Sequence, residues 1–237
     1  MIMADVKHMA PEIAARPTAP VRRSAMAFAG GAGVLGCALG VAGSLSVDIL
    51  DAPTTTASAS EIIASVQADR TALLLGMLLS TAAVSLWFVF GAGVWLRLRQ
   101  ARATESLASA CFAVGLVGFL TLLLAGFTVF FVLVYRDAEV ADPRFLYDLT
   151  FALLAMSGAP TALALGSYAA LVLRDDVLPR WTAWLAVIGA AAHVALLGSL
   201  VVTEGYFSLE GQVITAFPAT LFAWIIATGV AMVAADR

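Results

Sequence analysis

Charged side chains are scarce in this chain. Only 12% of its 237 residues are Asp, Glu, Lys or Arg, whereas soluble domains carry roughly 25%. Hydrophobic residues make up 62%, which is more apolar surface than a soluble core of this size absorbs. The formal net charge is only -3 and there is no basic run. Because nucleic-acid binding needs a basic surface, no nucleic-acid partner is expected.

Residues that build metal and redox sites are equally few. Cys37 and Cys111 lie inside apolar stretches and form no CxxC pair, which disfavours a disulfide or a zinc site. The two histidines are His8, near the N-terminus, and His193, inside an apolar stretch. A haem held by two membrane histidines would therefore lack a ligand. P-loop and H-E-x-x-H motifs are absent, so we expect no metal, no cofactor and no catalytic residues.

Long uncharged stretches are the feature that the chain does have. Residues 71–96 and 106–135 flank a short turn with Arg97, Arg99 and Arg102. Each stretch exceeds the roughly 20 residues that cross a bilayer core of about 30 Å as a helix, so the pair is predicted to be a transmembrane hairpin. Further spans are predicted at residues 24–47, 149–173, 181–203 and 211–235. The predicted fold is all-α, an integral membrane bundle of six transmembrane helices within residues 24–236.

Two segments before the second span are predicted to lie outside the bilayer. Residues 1–23 contain Pro11, Pro17 and Pro20 without an apolar period, which indicates a disordered tail. Ser58 and Glu61 have the spacing of a capping box, in which the hydroxyl and the carboxylate bind the free amides of a helix start. We therefore expect a helix that begins at this point, outside the bilayer, and runs into the second span.

The basic residues predict how the bundle is oriented. With six spans, both termini lie on one side of the membrane, and that side receives Lys7, Arg16, Arg22, Arg23, Arg97, Arg99, Arg102, Arg174, Arg180 and Arg237. The other side receives only Arg70, Arg136 and Arg144. By the positive-inside rule, both termini are expected to be cytoplasmic. In a bacterium, the protein would be a multi-pass protein of the inner membrane.

The first span carries a ridge of glycines. Gly33, Gly36, Gly40 and Gly43 follow steps of three and four residues, which places them on one side of a helix. Such a ridge lets a neighbouring helix approach closely, so helix packing is the expected role. A glycine-lined pore is the alternative.

Polar residues inside spans four and five are the candidate functional site. Thr150, Ser157, Thr161 and Tyr168 fall on one line of span four, beside Pro160, which frees the carbonyl of Met156. These hydroxyls either satisfy local carbonyls or line a cavity. In span five, His193 is the one clear ionisable residue within a span, and Glu204 shares its face. A buried histidine is suited to proton transfer, although it also forms structural hydrogen bonds.

One four-residue motif and two further features suggest a family. The acidic first outer loop, the turn Leu178-Pro179-Arg180-Trp181 before span five and the proline in the last span resemble a bacterial family of small six-span membrane proteins, catalogued as a domain of unknown function. The resemblance covers roughly residues 25–234. It implies the six-span fold and brings no catalytic residues with it.

Three functional hypotheses follow from these residues. The first is a non-enzymatic accessory or interaction protein that binds the lipid bilayer and a membrane-protein partner or another copy of itself. The second is a small proton-coupled permease that uses His193, Glu204 and the polar face of span four. The third is a membrane-embedded enzyme, with Ser157 and His193 or Asp148 and Glu204 in a shared cavity.

Overall fold

A computed structural model describes residues 23–45, 53–54, 56–99, 107–136, 139–202, 205–209 and 213–235. Within these ranges there is no β-strand, and the helices are α1 (Arg23–Leu45), α2 (Ala59–Leu98), α3 (Leu107–Arg136), α4 (Pro143–Met156), α5 (Gly158–Asp175), α6 (Arg180–Leu196) and α7 (Val213–Ala234). Six helical stretches are long and apolar enough to cross a membrane, with α4 and α5 together forming the fourth. The predicted all-α fold with six spans is confirmed. The predicted tail, apart from Arg23, lies outside the described residues.

Helix α2 is much longer than a bilayer requires. Its 40 residues correspond to about 60 Å, twice the thickness of the hydrocarbon core. The helix begins at the predicted capping box, where the Ser58 hydroxyl accepts from the Glu61 amide and the Glu61 carboxylate accepts from the Ser58 amide at 2.7 Å. Its backbone leaves helical geometry at Asp69 (φ -114°, ψ 15°). The segment before this kink therefore forms a short helix ahead of the membrane-spanning part.

This short helix packs on the ends of α3 and α4. Ile62 and Val66, one helical turn apart, are buried against Leu133, Val134 and Tyr147. The Tyr147 hydroxyl donates a hydrogen bond to the carbonyl of Pro53 and so holds the preceding chain in place. This second apolar cluster is separate from the main core of the bundle. It supplies the tertiary contacts that a helix of about ten residues needs in order to stay folded.

The fourth span is interrupted at Ser157, between α4 and α5. The backbone of Ser157 stays right-handed helical (φ -62°, ψ -16°), its amide donates to the carbonyl of Leu153, and the amide of Thr161 donates to the carbonyl of Ser157. Proline lacks an amide hydrogen and is tolerated in the first turn of a helix, and Pro160 lies in the first turn of α5. The helical hydrogen bond that Pro160 cannot make is the one to the carbonyl of Met156, the last residue of α4, so the interruption falls where the sequence predicted a freed carbonyl. The interruption is confined between two neighbours. A Cβ atom on Gly158 would lie 2.7 Å from the carbonyl oxygen of His193, and one on Gly115 would lie 2.7 Å from that of Pro160.

Spans five and six differ from the predictions at their ends. Helix α6 tightens into a 3₁₀ turn at Leu197–Leu200, so regular helix ends earlier than the predicted residue 203. Helix α7 begins at Val213, two residues after the predicted residue 211, and Pro218 lies inside it. Both spans stay close to the length that crosses a bilayer core.

The six spans form a closed ring. Each span packs on the next one along the chain, and α7 returns to pack on α1. The glycines Gly30 and Gly229 meet at the closing seam, where a Cβ atom on Gly229 would lie 2.7 Å from the carbonyl oxygen of Gly30. Short sequential connections between antiparallel helices favour this arrangement.

Aromatic side chains fill the centre of the ring. Trp224 lies between Tyr168 and Phe90, with ring centroids 5.0 and 5.6 Å away in edge-to-face geometry. Trp87 lies between Phe222 and Phe119, at 5.2 and 6.4 Å. Five of these rings belong to one continuous core, which also contains Cys37, and Phe222 packs against it. Among the described residues, the centre of the ring is therefore filled by packed side chains.

The two ends of the bundle carry different charges. The basic end contains the start of α1, the C-terminal ends of α2 and α7, and the α5–α6 turn, with exposed or half-buried Arg97, Arg99, Arg174 and Arg180. There the Arg97 side chain donates to the carbonyl of Val177 at 3.1 Å. The acidic end contains Glu61, Asp69, Glu139, Asp142 and Asp148 together with Arg70, Arg136 and Arg144.

Candidate functional site

The four predicted ridge glycines lie where α1 meets α2 and α7. A Cβ atom on Gly33 would lie 2.6 Å from the Phe90 ring, and one on Gly36 would lie 2.7 Å from the indole nitrogen of Trp87. Gly40 faces Ala83 and Phe222, and a Cβ atom on Gly43 would lie 2.7 Å from the carbonyl oxygen of Gly76. These contacts are packing contacts between helices, since aromatic rings and backbone fill the space beside the ridge.

The two glycines of the closing seam were not predicted from the sequence. Gly30 and Gly229 lie in direct contact, although neither was predicted as a packing residue. Gly31, in contrast, faces open space, and its position borders a groove of about 570 Å³ on the outside of the seam, lined by Val34, Leu35, Ala38, Val230, Val233 and Ala234. A step of three or four from the ridge would have included Gly30, but its partner on α7 required the fold.

The hydroxyls of span four bond to the backbone of their own helices. The Thr150 hydroxyl donates to the carbonyl of Leu146 at 2.9 Å and the Thr161 hydroxyl to that of Ser157 at 2.7 Å. The Ser157 hydroxyl donates to the carbonyl of Leu154 at 2.6 Å. All three side chains are buried. Because each hydroxyl has one hydrogen, these donors are occupied by local carbonyls.

Tyr168 belongs to a chain of hydroxyls that links three helices. The Thr182 hydroxyl donates to the carbonyl of Pro179 at 2.7 Å, so the Tyr168 hydroxyl, 2.7 Å away, must donate to Thr182. The Thr228 hydroxyl lies 3.5 Å from Tyr168 and supplies the donor at the other end. Tyr168, Thr182 and Thr228 are each fully buried. The chain runs in one direction from α7 through α5 to the turn before α6.

His193 is buried on α6 and bonds to its own helix. Its Nδ1 lies 2.8 Å from the carbonyl oxygen of Gly189. Since a carbonyl only accepts, Nδ1 carries the hydrogen in this arrangement. The backbone of His193 meets Gly158, the residue that follows the interruption in span four. The fold therefore brings His193 next to the Ser157 region, while the polar side chains of both residues bond within their own spans.

Other predicted partners cannot be placed at this site. Glu204 lies outside the described residues. Asp148 lies on α4 at the acidic end and pairs with Arg144 at 3.8 Å, in an exposed ion pair that contributes little stability. Among the described residues, no group of three or more His, Cys, Asp or Glu side chains could hold a metal ion.

The structure adds polar contacts that the sequence did not predict. Thr182 and Thr228 complete the hydroxyl chain of Tyr168. The indole nitrogens of Trp87 and Trp224 are buried and make no hydrogen bond of normal geometry to the described residues. A single threonine in an apolar helix gives no sequence signal of its own, because its role depends on which helix it faces.

Comparisons with known proteins add no relative. No protein-family model matches the chain, and no match is found among the curated proteins or the solved structures. A functional proposal is therefore based on the fold and the candidate site alone.

Proposed function

We propose that this chain is a non-enzymatic, multi-pass protein of the bacterial inner membrane that acts by binding a membrane-protein partner or another copy of itself. The observation that carries the proposal is the packed centre of the ring, where Trp87, Phe90, Tyr168 and Trp224 occupy the space a transported solute would need. The hydroxyls of span four bond to backbone carbonyls. The surface available for binding other molecules is thus the outer surface of the bundle.

The proposed orientation has both termini in the cytoplasm. Its support is the excess of arginine at the basic end, together with the acidic residues at the opposite end. The proposed kinship is with the uncharacterised bacterial six-span family that the Leu178-Pro179-Arg180-Trp181 turn resembles. In this fold Leu178 is buried in the main core, and Arg180 donates to the carbonyl of Leu173 at 3.0 Å, which gives the turn a structural role.

In-cell photocrosslinking tests the interaction role. A photoreactive residue is placed at the lipid-facing positions Val114, Ile188 and Val230, with the buried Ala83 as the matched control. We expect a discrete crosslinked protein, either a partner or a second copy, from at least one exposed position and none from Ala83. Absence of any protein crosslink from all three faces would contradict the proposal. So would turnover of a lipid or peptide that a point substitution inside the spans abolishes.

A proton-coupled permease is the second candidate, because one observation favours it. The fourth span, which lacks one helical hydrogen bond at Pro160, lies directly against His193, and interrupted helices near the middle of the membrane form substrate sites in many transporters. If the protein is a permease, His193→Ala abolishes uptake in proteoliposomes while the thermal unfolding midpoint is retained. If the variant loses its fold instead, the histidine is structural. A membrane enzyme ranks third, since Ser157 and His193 bond within their own spans.

A further inference from the structure

The described part of the connection between α6 and α7, residues 201–202 and 205–209, follows the fifth span at the acidic end of the bundle. From Arg180 to Leu200 the fifth span has 21 residues, or about 31 Å, which matches the hydrocarbon core. With Arg180 at one boundary of the core, Leu200 lies at the other. By this length, Val201 and Val202, which follow Leu200, would lie at the interface between lipid and water.

This loop exposes an unusual amount of apolar surface. Val201 is 82% exposed and Tyr206 is 50% exposed, and the neighbours Leu200, Val202 and Phe207 are exposed as well. We name these five side chains the lip. The Ser208 hydroxyl donates to the carbonyl of Gly205 at 2.8 Å, and the Phe207 ring packs on Phe217. The aromatic part of the lip is thus held in an ordered turn rather than a loose chain.

The opposite side of the acidic end has the reverse pattern. On the short helix before Asp69, the apolar Ile62 and Val66 are buried, and Glu61 and Gln67 are exposed. This is the pattern of an element that faces water. Two surfaces at the same end of the bundle therefore have different environments.

We propose that the lip is an interfacial anchor whose partner is bilayer lipid, with Val201 and Tyr206 inserted at the boundary between head groups and acyl chains. Lipid is the chosen partner because the lip continues the lipid-facing surface of α6, where Ile188 and Val194 are exposed. Tyrosine also favours this boundary, since its ring prefers lipid and its hydroxyl prefers water. On the opposite side of the acidic end, the short helix before Asp69 lies in water, so the two sides of this end are at different depths relative to the bilayer.

Spin-label accessibility in liposomes tests this proposal. Nitroxide labels are attached to Val201→Cys and, as the matched water-facing control, to Ala64→Cys, which is exposed on the short helix. The unsubstituted chain, with Cys37 buried and Cys111 half-buried, gives the background to subtract. We expect the ratio of oxygen collisions to collisions with a water-soluble nickel chelate to be several-fold higher at position 201 than at position 64. Tyr206→Cys, expected to behave like position 201, covers a failure of the first variant to fold.

Two results would overturn the proposal. Equal ratios at positions 201 and 64 would place the lip in water. Low collision rates with both reagents would mean that protein, either a second copy or a partner, covers the lip instead of lipid.

Discussion

Replacing Gly36 by alanine is expected to loosen the packing of α1 against α2. The added Cβ atom would lie 2.7 Å from the indole nitrogen of Trp87 and 3.0 Å from the carbonyl oxygen of Ala83. The indole cannot withdraw easily, because its ring packs on Phe222 and Phe119 in the centre of the ring. Overpacking of this kind costs about 1–3 kcal/mol.

Gly31→Ala is the matched control on the same helix. A Cβ atom there meets nothing within 4 Å, and alanine is favoured over glycine in a helix by about 1 kcal/mol. We expect Gly31→Ala to leave stability unchanged or slightly raised. The assay is thermal unfolding in detergent, where each kcal/mol moves the midpoint by about 2–4 °C for a chain of this size. If Gly31→Ala destabilised the protein as much as Gly36→Ala, the assignment of the ridge to the α1–α2 contact would be refuted.

Three further predictions concern the hydroxyl chain, the helix cap and the interrupted span. Tyr168→Phe is expected to cost about 0.5–1.5 kcal/mol by removing the bond to Thr182, and Thr182→Val is expected to cost more because it also removes the bond to Pro179; equal unfolding midpoints for Tyr168→Phe and the unsubstituted chain would refute the chain of bonds. Ser58→Ala is expected to cost about 1 kcal/mol in local stability of the short helix, read as faster amide exchange at Ile62 and Ile63. Hydrogen bonds from the amide and hydroxyl of Ser58 hold the pKa of the water-facing Glu61 carboxyl below its usual range. The stabilisation of the cap by this carboxylate is therefore present above the unfolded-state pKa and is lost as the pH falls through the lowered pKa. Amide protection that does not change with pH, after correction for the intrinsic pH dependence of exchange, would argue against it. Gly158→Ala is expected to lower the unfolding midpoint by pushing on the His193 carbonyl, whereas Gly166→Ala, which meets open space, should not; equal effects would show that the α5–α6 approach is not tight.

The number and positions of the spans followed from the sequence because hydrophobic length alone decides whether a helix can cross lipid. The start of α2 was also predictable, since Ser58 and Glu61 form a capping box that depends on local spacing. The kink of that helix lies at Asp69, one of the two charged residues expected at the membrane interface. These features depend on residues close together in the chain.

The neighbours of the junction at Ser157 and the partners of the polar side chains did not follow from the sequence. Pro160 predicted the freed carbonyl of Met156, but the close contacts of this junction with Gly115 and His193 depend on how α3 and α6 pack against it. Thr182 and Thr228 became visible as partners of Tyr168 only once three helices were packed together. Which helix faces which is decided by surface complementarity between distant segments, and a single sequence does not encode it in any local pattern.

The native cysteines allow the closed, aromatic centre of the ring to be tested without any substitution. Cys37 is 1% exposed within this centre, with its sulfur 3.9 Å from the carbonyl oxygen of Phe222, while Cys111 on α3 is half-buried. Maleimides react with the thiolate, which needs water to form. In protein held in lipid nanodiscs, intact mass after treatment with a membrane-permeant maleimide is expected to show Cys37 unmodified until the protein is denatured. Rapid modification of Cys37 in the folded protein would contradict a packed centre and favour an open route through the ring.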